Sequence, residues 1–396
     1  MSYPTKKLGD VCEVVGGGTP STGIRTYWDG EIVWVTPKDL GQLSSKEIGD
    51  TVKKITQQGV DNSSAKLLPV GSVILSSRAP IGYLAINTVP TATNQGCRSF
   101  ICGDKIFNKY LYYFLIKSRD YLQTLGSGST FLEVSGSRLK EIEIPLPPIA
   151  EQRRIVEKIE KQFAKIDEAA RLRAESISAT DQLLPAALHE IFSTAESKGW
   201  ALVSVGDLCE IKGGKRLPKG HVLTNTPTAH PYIRVADFVP YGIDQRNIKY
   251  VDEETFESVS RYTIGKSDVF ISIAGTIGVT GVIPEYLDGA NLTENAAKLT
   301  NLKGIEQRYL MYMLTSEDAV RQMTADSIQT TIAKLGLFRI ARLKIPLPPL
   351  AEQKKIVKKL DALFEKVRAL RELQLAQSAD LKALKQSILH EAFQRQ

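Results

Sequence analysis

Four cysteines, four histidines and the glycine-rich loops are the residues whose chemistry has to be decided first. Cys97 and Cys102 have four residues between them, and no nearby histidine completes a zinc-ligand set. Both therefore read as core or strand cysteines, and no metal site is expected. His189 and His390 each sit near the end of a helical stretch and are each followed by Glu. Capping or packing near the negative end of a helix dipole suits them better than catalysis. Val14-Val-Gly-Gly-Gly18 follows a strand-like segment but lacks the spacing of a dinucleotide-binding turn. A Gly-x-x-x-x-Gly-Lys-Ser/Thr phosphate loop is absent, so ATP hydrolysis by this chain is not expected. No catalytic residue is assigned, and the chain is expected to use no cofactor of its own.

The 396 residues allow two domains of about 100–200 residues plus connecting elements. A hydrophobic share of 42% and a charged share of 24% fit a globular protein. No apolar run approaches the roughly 18 residues that a membrane span needs, and the first residues lack the apolar stretch of a secretory signal. The cytoplasm is the expected compartment, with reduced thiols. A net charge of +7 is compatible with nucleic acid but too mild to demand it. Any binding surface of that kind must be a local patch.

Positioning such patches falls to a duplicated framework. Ile144-Pro-Leu-Pro-Pro-Ile-Ala-Glu-Gln-Arg-Arg-Ile-Val156 recurs as Ile345-Pro-Leu-Pro-Pro-Leu-Ala-Glu-Gln-Lys-Lys-Ile-Val357, and 144–192 matches 345–393 without a gap. More faintly, Leu8–Glu13 matches Val205–Glu210, Asp39-Leu40 matches Asp237-Phe238, Ala79–Gly82 matches Gly275–Gly278 and Tyr110–Leu115 matches Tyr309–Leu314. The modules are 1–144, a long helix in 145–199, 200–345, and a second long helix in 346–396. The helical copies keep sequence and length, whereas the globular copies share spacing but differ in most polar residues. One scaffold carrying two different readers is the simplest account.

Each globular copy reads as α/β or α+β. Val33–Val35, Ser72–Leu75 and Ile81–Ile86 have strand character in the first, as do Tyr232–Val235 and Asp268–Ile273 in the second. Asn108–Arg119 and Glu306–Leu314 have helical spacing. The long helices are announced by Pro145, Pro147 and Pro148 and by Pro346, Pro348 and Pro349, with Glu151 and Glu352 placed to meet the positive dipole end. Ile149, Val156, Phe163, Ala170, Ile177 and Leu184 recur every seven residues, the mark of a coiled-coil seam. In the second helix Leu350, Val357 and Phe364 drift towards Leu370, Leu381, Leu384 and Ile388, as a 3.6-residue helix does against a heptad. A two-fold relation between the halves would pair the helices antiparallel.

These residues resemble the specificity subunit of type I restriction–modification systems, over nearly the whole chain. The doubled Ile-Pro-Leu-Pro-Pro-x-Ala-Glu-Gln segment carries the resemblance most strongly. Gly16–Ser21, Trp34–Leu40, Leu75–Gly82 and Thr93–Gln95 look like one type of target-recognition domain; Lys212–Lys219, Tyr232–Asp237, Ala274–Gly278 and Asn291–Lys298 look like another. The resemblance implies that each domain reads one half of a split target on double-stranded DNA, with the paired helices setting the unread spacer. It further implies two docked methyltransferase subunits using S-adenosylmethionine and two ATP- and Mg-dependent restriction subunits joined to that core. A subunit of a combined type II nuclease–methyltransferase is the related alternative, and an autonomous nuclease the distant one. Pro147-Pro148-Ile149 also resembles the Pro-Pro-aromatic motif of adenine methyltransferases, but Leu146 precedes it and no aromatic follows.

Donors on Gly-rich or strand-end loops suit DNA, since Arg, Lys and backbone groups hold phosphates while Arg, Lys, Asn and Gln read base edges. In the first module these are Thr19, Lys38, Ser77, Arg78, Asn94, Gln95 and Arg98; in the second, Lys215, Arg216, Lys219, Arg234, Thr276, Asn295 and Lys298. Asp39 and Asp237 are expected to be turn or scaffold residues. Helix pairing and partner docking are expected of Pro148, Glu151, Gln152, Val156 and Phe163, and of Pro349, Glu352, Gln353, Val357 and Phe364.

Overall fold

The computed structural model describes residues 3–78, 80–127, 132–324 and 334–394. Two compact units are present, Met1–Arg173 with Ala376–Gln396, and Ala174–Leu375. Each unit combines one globular part, the first half of the helix that follows it and the last half of the other helix.

In the first unit a five-stranded sheet runs in the order Cys12–Gly16, Cys97–Cys102, Val73–Ser76, Leu84–Asn87, Glu47–Ile48. Its pairs are antiparallel except the last, which is parallel. Beside it Trp28–Val35 lies between Lys54–Ile55 and Thr91–Thr93. Val73–Ser76, Leu84–Asn87 and Thr91–Thr93 are buried throughout, which suits their continuous apolar or β-branched sequence. The strand expected from Ile81 starts only at Leu84, because Ile81–Gly82 forms a turn with Gly82 at φ +106°. Ala79, part of the repeated tetrapeptide, lies outside the described residues.

The second unit repeats this plan. Glu210–Gly213, Ala296–Thr300, Val269–Ser272 and Thr280–Gly281 form one sheet in that order. His230–Ile233 lies between an antiparallel Lys249–Val251 and a parallel Ala290–Leu292. In both units a strand that opens the globular part pairs antiparallel with the one that leads into the long helix: Thr5–Lys7 with Glu143–Pro145, and Ala201–Ser204 with Lys344–Leu347. The helices Asn108–Lys117 and Gln307–Leu314 complete the cores, burying Tyr110, Leu111 and Leu115 in one and Tyr309, Leu310 and Leu314 in the other.

The long helices are Ile149–Ser193 and Leu350–Gln394, 45 residues each. Each begins one residue later than its proline pair would allow. The Pro148 carbonyl accepts from Glu151 and Gln152 N–H at 2.8 and 3.0 Å, and Pro349 does the same for Glu352 and Gln353 at 2.8 and 3.1 Å. These prolines thus cap the helices from outside. Both are exposed, and the two glutamates are half-buried in the first turns.

Within each unit the helix halves run antiparallel. In the first, Lys385 pairs with Asp167, while Phe393 at the far end packs on Tyr110 with ring centroids 5.1 Å apart. In the second, Arg371 lies 3.3 Å from Asp181, and Phe192 packs on Tyr309 at 5.8 Å. Val156, Ile159 and Ile166 are buried on the first helix, as are Leu184, Leu188 and Ile191 further along. Ala170 is exposed, so the strict heptad does not persist. Leu370 and Leu384, expected to continue the second seam, are 42% and 48% exposed. A helix of 3.6 residues per turn rotates heptad positions off the seam by about 20° per repeat, which brings Ala170 to the surface, whereas Leu370 and Leu384 each lie one residue off the Leu350–Val357–Phe364 series.

Candidate nucleic-acid interface

The loops at one end of each large sheet are built on duplicated local geometry. Ser76 Oγ donates to the Pro80 carbonyl at 2.8 Å and accepts from Tyr83 N–H at 2.8 Å, while Gly82 N–H donates to the Ser76 carbonyl at 3.0 Å. Ser272 repeats the arrangement with the Thr276 carbonyl at 2.5 Å, Val279 N–H at 2.9 Å and Gly278 N–H at 3.0 Å. The serine replaces backbone partners that a turn this tight cannot supply itself. Gly17 and Gly214 are glycine for a steric reason. A Cβ on Gly17 would lie 2.0 Å from the Asn94 carbonyl oxygen, and one on Gly214 would lie 2.1 Å from that of Thr293. This close backbone approach explains why both positions are glycine.

Around the first turn a polar cluster converges. Thr19 donates to the Gln95 side chain, and Asn94 Oδ1 accepts from Gly96 N–H at 2.9 Å. Arg98 Nη1 donates to the carbonyls of Gln95 and Cys97 at 3.2 and 3.1 Å, and its Nη2 reaches Glu133 Oε1 at 2.8 Å. Arg78 approaches the other oxygen of Glu133 at 3.9 Å. Thr19, Lys38 and Gln95 are exposed, and Arg78, Asn94 and Arg98 are half-buried. Ser77 is different. Fully buried, it donates from Oγ to the Gly96 carbonyl at 3.1 Å and receives Val134 N–H on its own carbonyl at 3.0 Å. The expectation that Ser77 faces DNA is therefore corrected: its hydroxyl closes the scaffold.

In the second unit Lys215, Arg216 and Lys219 stand exposed on the segment after Gly214, with Thr276 exposed in the repeated turn. Lys215 lies over the Tyr262 ring at 5.6 Å, and Arg216 pairs with Glu294 at 2.7 Å. Asn295 is half-buried, its carbonyl accepting from Ile273 N–H at 2.8 Å. Two expected readers are committed elsewhere. Arg234 grips Asp237 through Nε and Nη2 at 3.0 and 2.5 Å and also donates to the Asn247 carbonyl at 3.0 Å. Lys298, with only 18% of its side chain exposed, lies 3.3 Å from the buried Asp268. Asp39 accepts from Thr36 N–H at 2.9 Å in a capping box, and Asp237 accepts from Arg234 N–H at 2.8 Å. Both act as turn residues.

The expected docking residues divide in the same way. Gln152 is fully buried: Oε1 accepts from Phe107 N–H at 2.8 Å, and Nε2 donates to the carbonyls of Lys105 and Pro147 at 2.9 and 2.8 Å. Gln353 repeats this with Glu306 N–H at 2.7 Å and the carbonyls of Gly304 and Pro348 at 3.2 and 2.9 Å. The invariant-looking Ala-Glu-Gln of the repeat thus pins each helix to its own globular part, so neither glutamine is offered to a partner. Val156 and Val357 join the same cores, with Phe163 and Phe364 packed against them.

A second tie escaped the sequence reading. Glu160 takes Lys46, Lys109 at 3.4 Å and the Tyr113 hydroxyl at 3.5 Å; its repeat partner Asp361 takes Arg308 at 2.7 Å and the Tyr312 hydroxyl at 2.7 Å. Burial works against the Glu160 charge, but the lysines still hold its carboxyl below the usual range. Asp for Glu and Arg for Lys conceal the equivalence in sequence. Burial pushes the Cys97 and Cys209 thiols up to about 12. Among the described residues no group of three or more His, Cys, Asp or Glu could hold a metal, and no helix is long and apolar enough to cross a membrane.

Two α/β units with repeated turn geometry, divergent loop polarity and helix halves pinned by buried glutamines define a tandem recognition scaffold. Residues 2–175 and 197–377 match the type I restriction modification DNA specificity domain, so the chain belongs to that family, as a specificity subunit with two copies of the domain. It is 29% identical over 385 residues to the type I restriction enzyme MjaIX specificity subunit of Methanocaldococcus jannaschii, covering 92% of this chain and 87% of that one. Against the EcoR124I/EcoR124II specificity subunit of Escherichia coli it is 34% identical over 164 residues, 39% of this chain and 40% of the other. Among solved structures, a chain from a type I restriction–modification assembly superposes with TM-score 0.78 at 25% identity, covering 99% of this chain and 97% of that one. The HsdS subunit from Thermoanaerobacter tengcongensis superposes with TM-score 0.57 at 25% identity, covering 99% and 96%.

Proposed function

We propose that this chain is the non-catalytic DNA-reading subunit of a type I restriction–modification complex, each unit contacting one half of a bipartite target. The observation that carries the reading is the contrast within the repeat. Ser76 and Ser272, Gly17 and Gly214, and Gln152 and Gln353 keep the same geometry, whereas Arg78, Asn94, Gln95 and Arg98 give way to Ala274, Thr293, Glu294 and Ala297 at the equivalent positions. A duplicated frame with unlike loop donors is what two different half-sites require. The readers are Thr19, Lys38, Arg78, Asn94, Gln95 and Arg98 in one unit, and Lys215, Arg216, Lys219, Thr276 and Asn295 in the other.

The paired helices set the spacer and receive two methyltransferase subunits, through which two restriction subunits join. S-adenosylmethionine, ATP and Mg are used by those partners. Docking falls on leucines that are identical in both helix copies and yet stand exposed. Leu172 and Leu384 are 51% and 48% exposed in the first unit, and Leu183 and Leu373 are 46% and 62% exposed in the second.

The deciding experiment maps methylated adenines in DNA from cells carrying this chain with its methyltransferase partner, before and after exchange of residues 1–144 for those of another specificity subunit. The exchange is expected to replace one half-site and keep the other half-site and the spacer. Replacement of both half-sites would overturn the assignment of one reader per unit.

A further inference from the structure

The two units carry opposite charges at one equivalent place in the reading loops. Arg78 and Glu133 form an isolated antiparallel bridge, and Ala274 and Lys334 form the same bridge in the second unit. The next residue confirms the equivalence: Val134 N–H donates to the Ser77 carbonyl at 3.0 Å, and Leu335 N–H to the Ile273 carbonyl at 2.7 Å. Glu133 and Lys334 are thus the same position on one frame.

Their surroundings are inverted as well. Glu133 stands with 30% of its side chain exposed between Arg98 at 2.8 Å and Arg78 at 3.9 Å. Lys334 donates to the Glu294 backbone carbonyl at 3.3 Å, and Ala274 and Ala297 stand where the first unit has Arg78 and Arg98. One unit therefore presents an acceptor flanked by two guanidinium groups, and the other presents a donor.

A carboxylate repels phosphate, so a partly exposed one among DNA-contacting donors suits a base edge, where cytosine N4–H₂ needs an acceptor and guanine O6 and N7 need a guanidinium. We infer that Glu133 is a specificity-determining residue, accepting a hydrogen bond from the exocyclic amino group of a cytosine in the half-site read by residues 1–144, with Arg78 and Arg98 donating alongside it. The inference rests on the DNA-reading function proposed above.

The test uses the full chain assembled with its methyltransferase partner and S-adenosylmethionine, acting on a DNA library randomised across both half-sites. Wild type, Glu133→Gln and Lys334→Gln are compared after thermal melting has shown that all three are folded. Glu133→Gln keeps an oxygen for the arginines but adds amide donors, and is expected to lower discrimination at one base pair of the first half-site about tenfold or more. The second half-site should stay unchanged, and Lys334→Gln should leave the first half-site as it was. Equal slowing of methylation on all sequences would show that Glu133 only positions the arginines and would overturn the inference. A relaxed position that is an adenine would replace cytosine as the partner and sink that part. Failure of wild type to select any bipartite sequence would instead overturn the proposed function.

Discussion

At the scale of residues, the strongest constraint is a pair of amide side chains. Gln152 satisfies one backbone N–H and two carbonyls in a place closed to water, and no apolar side chain of similar volume can do so. Each orphaned buried backbone group costs about 1–3 kcal/mol. Gln152→Leu is therefore expected to destabilise the first unit by about 3 kcal/mol or more. Hydrogen exchange should show the loss at Lys105–Phe107 and the start of the following helix, with residues 174–375 protected as before. Unchanged exchange there would mean that the glutamine is dispensable. The repeat made this residue visible but misassigned it, because an identical polar residue on a helix reads as surface until its partners are known. Asp39 was legible, since Thr-Pro-x-Asp carries its own capping logic. Arg234 and Lys298 were not, because their acidic partners are recognisable only in the folded chain.

At the scale of elements, the helix starts were legible from proline chemistry and the strands from β-branched runs. The seam was less so. Heptad counting assumes supercoiling throughout, but Ala170 has already rotated into solvent. Leu172 and Leu384 stand exposed in one unit and Leu183 and Leu373 in the other, where burial against the helix pair cannot explain their identity between copies. Burying a leucine side chain is worth about 1.5–3 kcal/mol. Leu172→Ser with Leu384→Ser is expected to weaken methyltransferase binding by at least about tenfold while leaving the melting of the isolated chain nearly unchanged. Pull-down or calorimetric titration against the partner would measure it. Full affinity in the double variant would place docking elsewhere.

At the scale of the molecule, duplication was the most legible feature, yet the boundaries of the compact units differ from the boundaries of the repeat. Sequence similarity follows chain order, whereas compactness follows the core, and the core of the first unit includes Leu389 and Phe393 from the second helix. Large-to-small changes at buried Leu or Phe cost about 2–5 kcal/mol each, comparable with the whole stability of a domain. A chain ended after Gln386 is thus expected to lose the first unit, with trypsin cutting within residues 1–173 while residues 174–375 resist. Resistance across both units would refute this.

The interlaced construction also sets an order of assembly during synthesis. Residues 174–375 form an uninterrupted stretch that can close on itself as soon as it leaves the ribosome. The part made first cannot: Tyr110 and Phe114 wait for Phe393, which stands 5.1 and 5.6 Å from them in the finished fold. The N-terminal reader is therefore completed after the second one, and translation that stops before Phe393 yields a chain with only residues 174–375 in working order.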